Sequence, residues 1–393
     1  MHGRIREVGI RWITAIIQKA WEEQKVPEDW KNAVVVPIWK KKGSRKDCST
    51  YRGISLNSHV GKMYAKILEE RARAKAEYHL SNAQFGFRKG RGCTDAIFAL
   101  RQLCEKAIEY NRALNLVFVD QEKAFDRVNR RKMWEVLEQY NITGQLLENI
   151  KALYVGSKSA VRTPSGLTNW FSVQSGVRQG CVLSPLLFII YMDKITREAN
   201  PDPVALNELL FADDQAIFHE DPVALQEHTD VFNDVCEKYD MKISISKTET
   251  MAVCRETQVL AINIKGATLK QTTDFKYLGS IFAENARMDR EIETRCQKAN
   301  AICYQLIPLL QQRNIPLSTK AKLINAIFLP TLTYQCQSWT LTKALQQKLV
   351  TCEMRCLRKA VNKTRLDKIR NEDIRAMVGV TPVLKYVDQQ RVK

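Results

Sequence analysis

Two adjacent aspartates, Asp213 and Asp214, lie between two short apolar segments in the sequence NELLFADDQAIFHE, residues 207–220. Residues 209–212 and 215–218 are typical of strands, so the pattern predicts a β-hairpin with the two aspartates at its tip. Asn-Gly or Asp-Gly is the usual choice for such a tip, because the favoured turns need positive φ. Two like charges at this position indicate a role in binding a cation rather than a preference of the turn.

A third carboxylate, Asp120, ends the apolar strand predicted for the sequence LVFVD. If this strand pairs beside the hairpin, Asp120 approaches Asp213 and Asp214, and the crowded carboxylates raise one another's pKa. Mg²⁺ relieves such repulsion and binds a few carboxylates together with substrate phosphates. Two such ions about 4 Å apart promote phosphoryl transfer. Each motif alone is common in turns and strands, so the hypothesis depends on their occurrence together.

A glycine-containing loop and a helix separate the two motifs, in the sequence SGVRQGCVLSPLLFIIYMD. Gly176 and Gly180 enclose a loop in which the backbone can approach a ligand closely, with Arg178 and Gln179 between them. The Ser-Pro pair that follows is typical of a helix start. We expect that helix to lie in the core.

The charge balance indicates a polyanionic partner. The 61 Lys and Arg residues against 43 Asp and Glu residues give a net charge of +18, which favours nucleic acid, although a merely basic protein is the alternative. The longest apolar run, CVLSPLLFIIYM, is too short to span a bilayer, so we expect no membrane association. The 11 cysteines lack metal-binding spacing, and we expect reduced thiols in an intracellular protein.

The order of predicted elements indicates an α+β fold. The first segment is mostly helical, the middle alternates strands with helices, and the last, from Asp289, is helical. Strands around a central hairpin, helices on one face of the sheet and a helical tail are the expected arrangement.

Taken in order, these motifs resemble the reverse transcriptase domain of non-LTR (LINE-type) retrotransposons. The resemblance covers about residues 30–339 and rests on VVVPIWKKKG, YRGISL, QFGFRKGRGCTDAI, FVDQEKAFD, GVRQGCVLSPLLF, FADD, SKTETM and FKYLGS. It implies a right-hand polymerase with fingers, palm and thumb and an antiparallel palm sheet. It also implies an N-terminal extension with fingers in residues 1–113, a palm with an interleaved finger segment in 114–284, a thumb in 285–345 and a helical C-terminal extension in 346–393.

The resemblance also implies roles for individual residues. Asp120, Asp213 and Asp214 become the catalytic metal ligands for two Mg²⁺ ions, with Mn²⁺ as a substitute, and Lys247 protonates the leaving pyrophosphate or is plain surface charge. Phe125 becomes a steric gate against the ribose 2′-hydroxyl, with a simple core position as the alternative. The remaining expected substrate-binding residues are Arg52, Arg88, Gln179, Gly180 and Phe211, and the expected primer grip is Tyr277, Leu278 and Gly279.

The implied function is an RNA-directed DNA polymerase that extends a primer 3′-hydroxyl with dNTPs by two-metal phosphoryl transfer. Its expected partners are an RNA template and a DNA primer or RNA–DNA duplex. The alternative is a catalytically silent or truncated retroelement-derived nucleic-acid-binding protein. The residues contain no endonuclease motif, so we expect that activity from a missing domain or a partner. By analogy with retrotransposon enzymes, the expected location is the nucleus, the cytoplasm or both.

Overall fold

The computed structural model describes residues 2–200, 206–256 and 258–392. Parts of the expected domains, namely Met1, residues 201–205, Thr257 and Lys393, therefore lie outside the described residues. The N-terminal part contains α1 (His2–Glu23), α2 (Glu28–Lys31), β1 (Ala33–Trp39), β2 (Tyr51–Leu56), α3 (His59–Ala76) and α4 (Cys93–Glu109).

The middle part alternates strands and helices, as the sequence predicts. Its first half contains β3 (Leu114–Val119), α5 (Ala124–Arg127), α6 (Arg130–Gln139), α7 (Gly144–Tyr154), β4 (Lys158–Thr163), β5 (Gly166–Leu167), β6 (Phe171–Ser172) and α8 (Ser184–Ala199). Its second half contains β7 (Glu208–Phe211), β8 (Asp214–His219), α9 (Pro222–Lys238), β9 (Glu249–Val253), β10 (Asn263–Ile264), β11 (Ala267–Thr268), β12 (Lys270–Gln271), β13 (Asp274–Tyr277) and β14 (Ser280–Ala283).

The C-terminal part is helical. It contains α10 (Asp289–Leu310), α11 (Leu317–Leu323), a π-helical turn (Ile324–Phe328), α12 (Leu329–Leu332), α13 (Lys343–Ala360), α14 (Asn371–Val378) and α15 (Val383–Arg391). These helices share one hydrophobic cluster that extends from Met288 to Val387. Helices on both sides of the expected boundary at residue 345 contribute to it, so the division into thumb and extension stays a prediction. In the ranges that the structure describes, no helix combines the length and apolar character needed to cross a bilayer.

Five strands form the central sheet in the order β12–β9–β3–β8–β7. Neighbouring strands are antiparallel, except that β12 runs parallel to β9. The strand β3 lies in the middle, and all of its residues are buried. This arrangement confirms the α+β class and the antiparallel palm sheet of a right-hand polymerase.

The central sheet is covered on both faces, whereas helices on one face were expected. Val117, Val119 and Ile217 pack into a cluster with residues of α8 and α9. Leu116 and Phe118 point to the opposite face and pack with residues of α4 and of the hairpin β13–β14. A strand in the middle of a doubly covered sheet has no solvent-facing side, which explains the nearly continuous apolar sequence of β3.

The predicted hairpin is present, but its tip lies one residue earlier than expected. Phe211 pairs with Asp214, so Ala212 and Asp213 are the two turn residues and Asp214 is the first residue of β8. Ala212 has a φ of 61° and thereby supplies the positive φ that a two-residue hairpin turn needs. Asp213 is therefore presented by the tip and Asp214 by the strand.

A second sheet also has five strands. Its strands follow the order β2–β1–β4–β5, with β6 also paired to β4. The strand β1 is antiparallel to β2 and parallel to β4. Strands that precede and follow β3 in the sequence thus form one sheet. Its assignment as a finger segment interleaved with the palm stays a prediction. The domain boundaries at 113 and 284 stay predictions.

Leu116→Ala tests the double coverage of the central sheet. Leu116 is fully buried, and removal of its side chain should lower the free energy of unfolding by about 3 kcal/mol because a cavity remains. Urea denaturation followed by tryptophan fluorescence measures the change. Leu167, which is 54% exposed, is the matched control, and Leu167→Ala should have an effect below about 0.5 kcal/mol. Equal losses in the two variants would contradict a packed face on the α4 side.

Candidate active site

The strands β3 and β8 bring the three predicted aspartates to one end of the central sheet. Val119 pairs with Gln215, so Asp120, which follows β3, lies beside Asp214. The three charges interact, because Asp120 and Asp213 both raise the pKa of Asp214. The pairing of two strands thus juxtaposes residues that are more than 90 positions apart in the chain.

The turn carboxylates lie in a partly desolvated environment, although both remain accessible to solvent. Burial raises the pKa of Asp213, with a further contribution from Asp120 and an opposing one from Arg52. Burial together with the charges of Asp213 and Asp120 raises the pKa of Asp214 to about 6. Additional negative charge is therefore unfavourable here, and a cation placed among the carboxylates would stabilise their ionised forms.

The three carboxylates offer oxygen ligands alone, which is the donor type that Mg²⁺ prefers. Within residues 2–200, 206–256 and 258–392, no three or more His, Cys, Asp or Glu side chains form a group that could hold a metal ion. The arrangement is therefore not a closed protein cage. It fits an ion that completes its coordination with substrate phosphates and water.

A turn formed by residues 244–248, just before β9, binds the backbone of Asp120. The Ser244 N–H donates to the Asp120 carbonyl at 2.8 Å, and the Asp120 N–H donates to the Thr248 hydroxyl at 3.2 Å. This turn places Lys247 Nζ 3.2 Å from Asp120 Oδ1. Sequence reasoning selected Lys247 but did not identify Ser244 and Thr248 as residues that position Asp120. Their place next to Lys247 in the sequence SISKT was the one signal that could have indicated this role.

Two aromatic residues of the predicted set are half-buried. The Phe125 ring stacks on Phe188 of α8, with ring centroids 4.1 Å apart and an interplanar angle of 15°. Phe211 ends β7 and packs against the cluster on the α4 side of the sheet. The Phe188 contact fixes the plane of the Phe125 ring while part of the ring stays open to solvent.

The glycine loop is attached to the finger strand β2. The Ser55 N–H donates to the Gln179 carbonyl at 3.2 Å. Gly180 has a φ of 95°, and a Cβ at this position would lie 2.8 Å from the Ser55 carbonyl oxygen. The close approach requires glycine, and it fixes the loop relative to Arg52, three residues before Ser55 in β2.

Two arginines of the motifs are engaged in internal contacts. The Arg88 side chain is 8% exposed, and it donates to Glu77 at 2.8 Å and to the Ser81 carbonyl at 2.6 Å. This engagement argues against the contact with triphosphate or template that the sequence suggested. Arg178, expected to face a ligand, instead donates to the Trp30 carbonyl at 2.9 Å. Both arginines hold the backbone around the site.

The expected primer grip is the turn of the hairpin β13–β14. Tyr277 is buried, and burial raises the pKa of its hydroxyl well above the usual range. The Leu278 carbonyl accepts from the Tyr334 hydroxyl at 3.0 Å, and the Gly279 carbonyl accepts from Arg295 of α10. Leu278 and Gly279 are partly open to solvent, so this turn, and not Tyr277, is available to a ligand.

The sequence is similar to known polymerases over most of its length. Residues 39–282 match the family described as reverse transcriptase (RNA-dependent DNA polymerase). The RNA-directed DNA polymerase from mobile element jockey of Drosophila funebris is 26% identical over 328 residues, which cover 79% of this chain and 35% of that protein. The probable RNA-directed DNA polymerase from transposon X-element of Drosophila melanogaster is 25% identical over 351 residues, covering 84% and 38%. These relatives confirm the resemblance to non-LTR retrotransposon reverse transcriptases, and the chain spans little more than a third of their length.

A solved structure shares the fold. The apo telomerase of Candida tropicalis aligns with a TM-score of 0.50 at 12% sequence identity, covering 100% of this chain and 72% of that one. At this identity the likeness concerns the fold alone. It agrees with the right-hand polymerase architecture of the central and finger sheets.

Arg88→Ala tests the internal role of this arginine. Its loss removes these hydrogen bonds, although Glu77 keeps its ion pair with Arg73 and the Ser81 carbonyl still accepts from the Gln84 N–H. The free energy of unfolding should therefore fall by about 1–2 kcal/mol. Thermal denaturation of Arg88→Ala and of Arg52→Ala, an exposed control on β2, measures the difference. An Arg88→Ala variant with unchanged stability but weakened nucleotide binding would restore the substrate-binding role.

Proposed function

This chain belongs to the reverse transcriptase (RNA-dependent DNA polymerase) family, and we propose that it extends a DNA primer with dNTPs on an RNA template. The proposal rests on one observation: Asp120 lies next to Asp213 and Asp214 at one end of the central sheet. Carboxylates held at the end of β3, in a two-residue turn and at the start of β8 suit a reaction that depends on positioning.

The aspartates are the proposed ligands of two Mg²⁺ ions, with Mn²⁺ as a substitute. When bound, such ions activate an attacking hydroxyl and stabilise a leaving phosphate oxygen. The chain's own contribution is a set of oxygen donors, and burial together with the charges of neighbouring carboxylates raises the pKa of Asp213 and Asp214. Because the described residues supply no complete cage, we assign the remaining ligand positions to the primer end and the nucleotide phosphates.

Lys247 is the proposed general acid for the departing pyrophosphate. Its ammonium group lies 3.2 Å from Asp120, and its side chain is 66% exposed, so it can turn toward a bound phosphate. A proton donated to the leaving group lowers the negative charge that develops on it. The turn of residues 244–248 keeps this lysine close to Asp120 through backbone bonds.

Phe125 is the proposed gate against ribonucleotides. Its stacking on Phe188 opposes movement of the ring, so a 2′-hydroxyl placed against it would meet a fixed surface. Arg52, Gln179 and Gly180 are the proposed contacts to the incoming nucleotide, since they lie where the finger strand meets the glycine loop. The turn of Leu278 and Gly279 is the proposed support for the primer end.

The net charge of +18 supports a polyanionic partner, and we propose an RNA template with a DNA primer or an RNA–DNA duplex. Contacts to phosphates release counterions, so binding should weaken steeply as salt rises. We propose action in the nucleus, the cytoplasm or both. Endonuclease activity is proposed to come from a domain or partner outside these residues.

Asp213→Asn tests the proposed catalytic turn. Primer extension on a poly(rA)–oligo(dT) duplex with dTTP and Mg²⁺ should fall by about 100-fold or more, because a metal ligand loses its charge. Duplex binding, measured by fluorescence anisotropy over a salt series, should stay nearly unchanged. Asp388→Asn, in an exposed aspartate of the C-terminal helix α15, is the control and should extend primers like the parent chain.

Two outcomes would contradict the assignment. Equal losses of duplex binding and synthesis in Asp213→Asn would exclude a specific role of Asp213 in metal binding. A parent chain that binds the duplex without extending it would favour a catalytically silent nucleic-acid-binding protein.

Phe125→Val tests the gate. The smaller side chain opens space beside the sugar, so incorporation of rUTP relative to dTTP should rise by about 10- to 100-fold. Single-nucleotide extension with each substrate measures the ratio. Phe98→Val, in a phenylalanine of α4 that is 51% exposed, is the matched control. Unchanged sugar discrimination in Phe125→Val would leave Phe125 as an ordinary core residue.

A further inference from the structure

The turn that carries the aspartates needs support that the hairpin does not supply. Ala212 has a φ of 61°, a left-handed conformation that residues with a side chain adopt at an energetic cost. In a two-residue turn, the N–H of the first turn residue has no partner in the strand ladder. Because β7 is also the last strand of the central sheet, the position of this turn depends on what lies beyond that edge.

Residues 83–86, here called the edge segment, lie against this turn. Gln84 is fully buried, and its Oε1 accepts from the N–H of Ala212 at 3.2 Å and of Gly86 at 2.8 Å. Its Nε2 is buried without a partner among the described residues. The side chain is therefore held through its oxygen, which satisfies the N–H that the ladder leaves free.

The backbone of the edge segment extends the sheet. The Phe85 N–H donates to the Leu210 carbonyl at 2.8 Å, and the Leu210 N–H donates to the Ala83 carbonyl at 2.9 Å. A Cβ on Gly86 would lie 2.5 Å from the Ala212 nitrogen, so glycine is required for this approach. Pairing along β7 and contact at the turn together fix the glutamine in register with the hairpin.

The residues flanking the edge segment are anchored independently of the hairpin. The Ser81 N–H donates to Asp193 of α8 at 2.7 Å, and Asp193 is buried. Arg88 donates to the Ser81 carbonyl at 2.6 Å, and Arg91 donates to the Asn82 carbonyl at 2.6 Å. The edge segment is thus a fixed support and not a loop that follows the turn.

We propose that Gln84 is a positioning residue that fixes the orientation of Asp213 and Asp214 by accepting the Ala212 N–H. The proposal rests on the proposed function, since it assigns the two aspartates to nucleotidyl transfer. Gln84 touches no reacting atom and acts through the backbone of the turn. A shift of the turn by a fraction of an ångström would change where both carboxylates meet the primer and the nucleotide.

Gln84→Met removes the acceptor oxygen and keeps the length of the side chain. Hydrogen–deuterium exchange of peptides spanning residues 209–217 should become about tenfold faster at the turn, because Ala212 loses its partner. On poly(rA)–oligo(dT), kcat should fall by about 10- to 100-fold. KM for dTTP and Kd for the duplex should change by less than about twofold, since a kcat effect alone reports a misplaced reacting group.

Two further variants separate positioning from general destabilisation. Gln84→Glu retains an acceptor oxygen, so exchange at the turn should stay slower than in Gln84→Met. Its added charge is unfavourable beside the aspartates, so this variant is compared by exchange and not by kcat. Gln226→Met is the matched control, because Gln226 also binds backbone groups through its side chain. Its Oε1 accepts from the Asn263 N–H and its Nε2 donates to the Asn263 carbonyl, both at 2.8 Å. This control should leave exchange of residues 209–217 and kcat unchanged.

The exchange measurement keeps this proposal distinct from the proposed function. If the parent chain cannot extend primers but Gln84→Met still exchanges faster at the turn, the support of the turn by Gln84 holds and the polymerase assignment is wrong. Unchanged exchange at the turn in Gln84→Met would show that Gln84 does not support the turn. Faster exchange with an unaltered kcat would show that this support does not position the aspartates for catalysis. If Gln84→Met does not fold, Gly86→Ala leaves the glutamine in place, and it should give the same pattern because its Cβ would meet the Ala212 nitrogen.

Discussion

The register between β3 and β8 determines where every carboxylate of the candidate site lies. Val117 pairs with Ile217 and Val119 with Gln215, so a slip of one residue would turn the apolar side chains of β3 to the wrong face. Such a slip is strongly disfavoured, because both faces of the sheet are packed. Packing of the hydrophobic core therefore fixes the register of β3 and β8, and this register places Asp120 beside Asp214.

The positively charged side chains of the chain do not all face solvent, because some partly buried arginines are used in internal contacts. Arg130 donates to the carbonyls of Gly176 and Val173, and burial lowers its pKa to about 10. Arg178 and Arg130 both lie over the Tyr154 ring, at 5.4 and 5.0 Å from its centroid. These guanidinium groups bind backbone carbonyls and an aromatic ring instead of an external anion. A nucleic-acid surface must be built from the exposed lysines and arginines that remain.

Sequence reasoning located the elements of the site better than their contacts. The strand β3 and the FADD hairpin were predictable, since a buried strand and a hairpin both show as short apolar runs in the local sequence. The tip was misplaced by one residue, because the conformational preference of Asp in turns outweighed the possibility that Ala212 takes the positive φ. The internal role of Arg88 and the bond from Ala212 to Gln84 were not predictable, since each depends on segments that meet only in the folded chain. A single sequence carries no record of such long-range pairs.

Contacts of the Leu278 and Gly279 turn link the proposed primer support to the C-terminal helices. Arg295 donates to the Gly279 carbonyl and forms a buried ion pair with Glu291 at 2.7 Å, and Glu291 also accepts from the Ile281 N–H at 2.7 Å. Two charged side chains of α10 thus hold the backbone on both sides of Ser280, where β14 begins. A rigid rotation of α10 would carry the hairpin tip with it, so movement of this helix would displace the surface proposed to support a primer terminus.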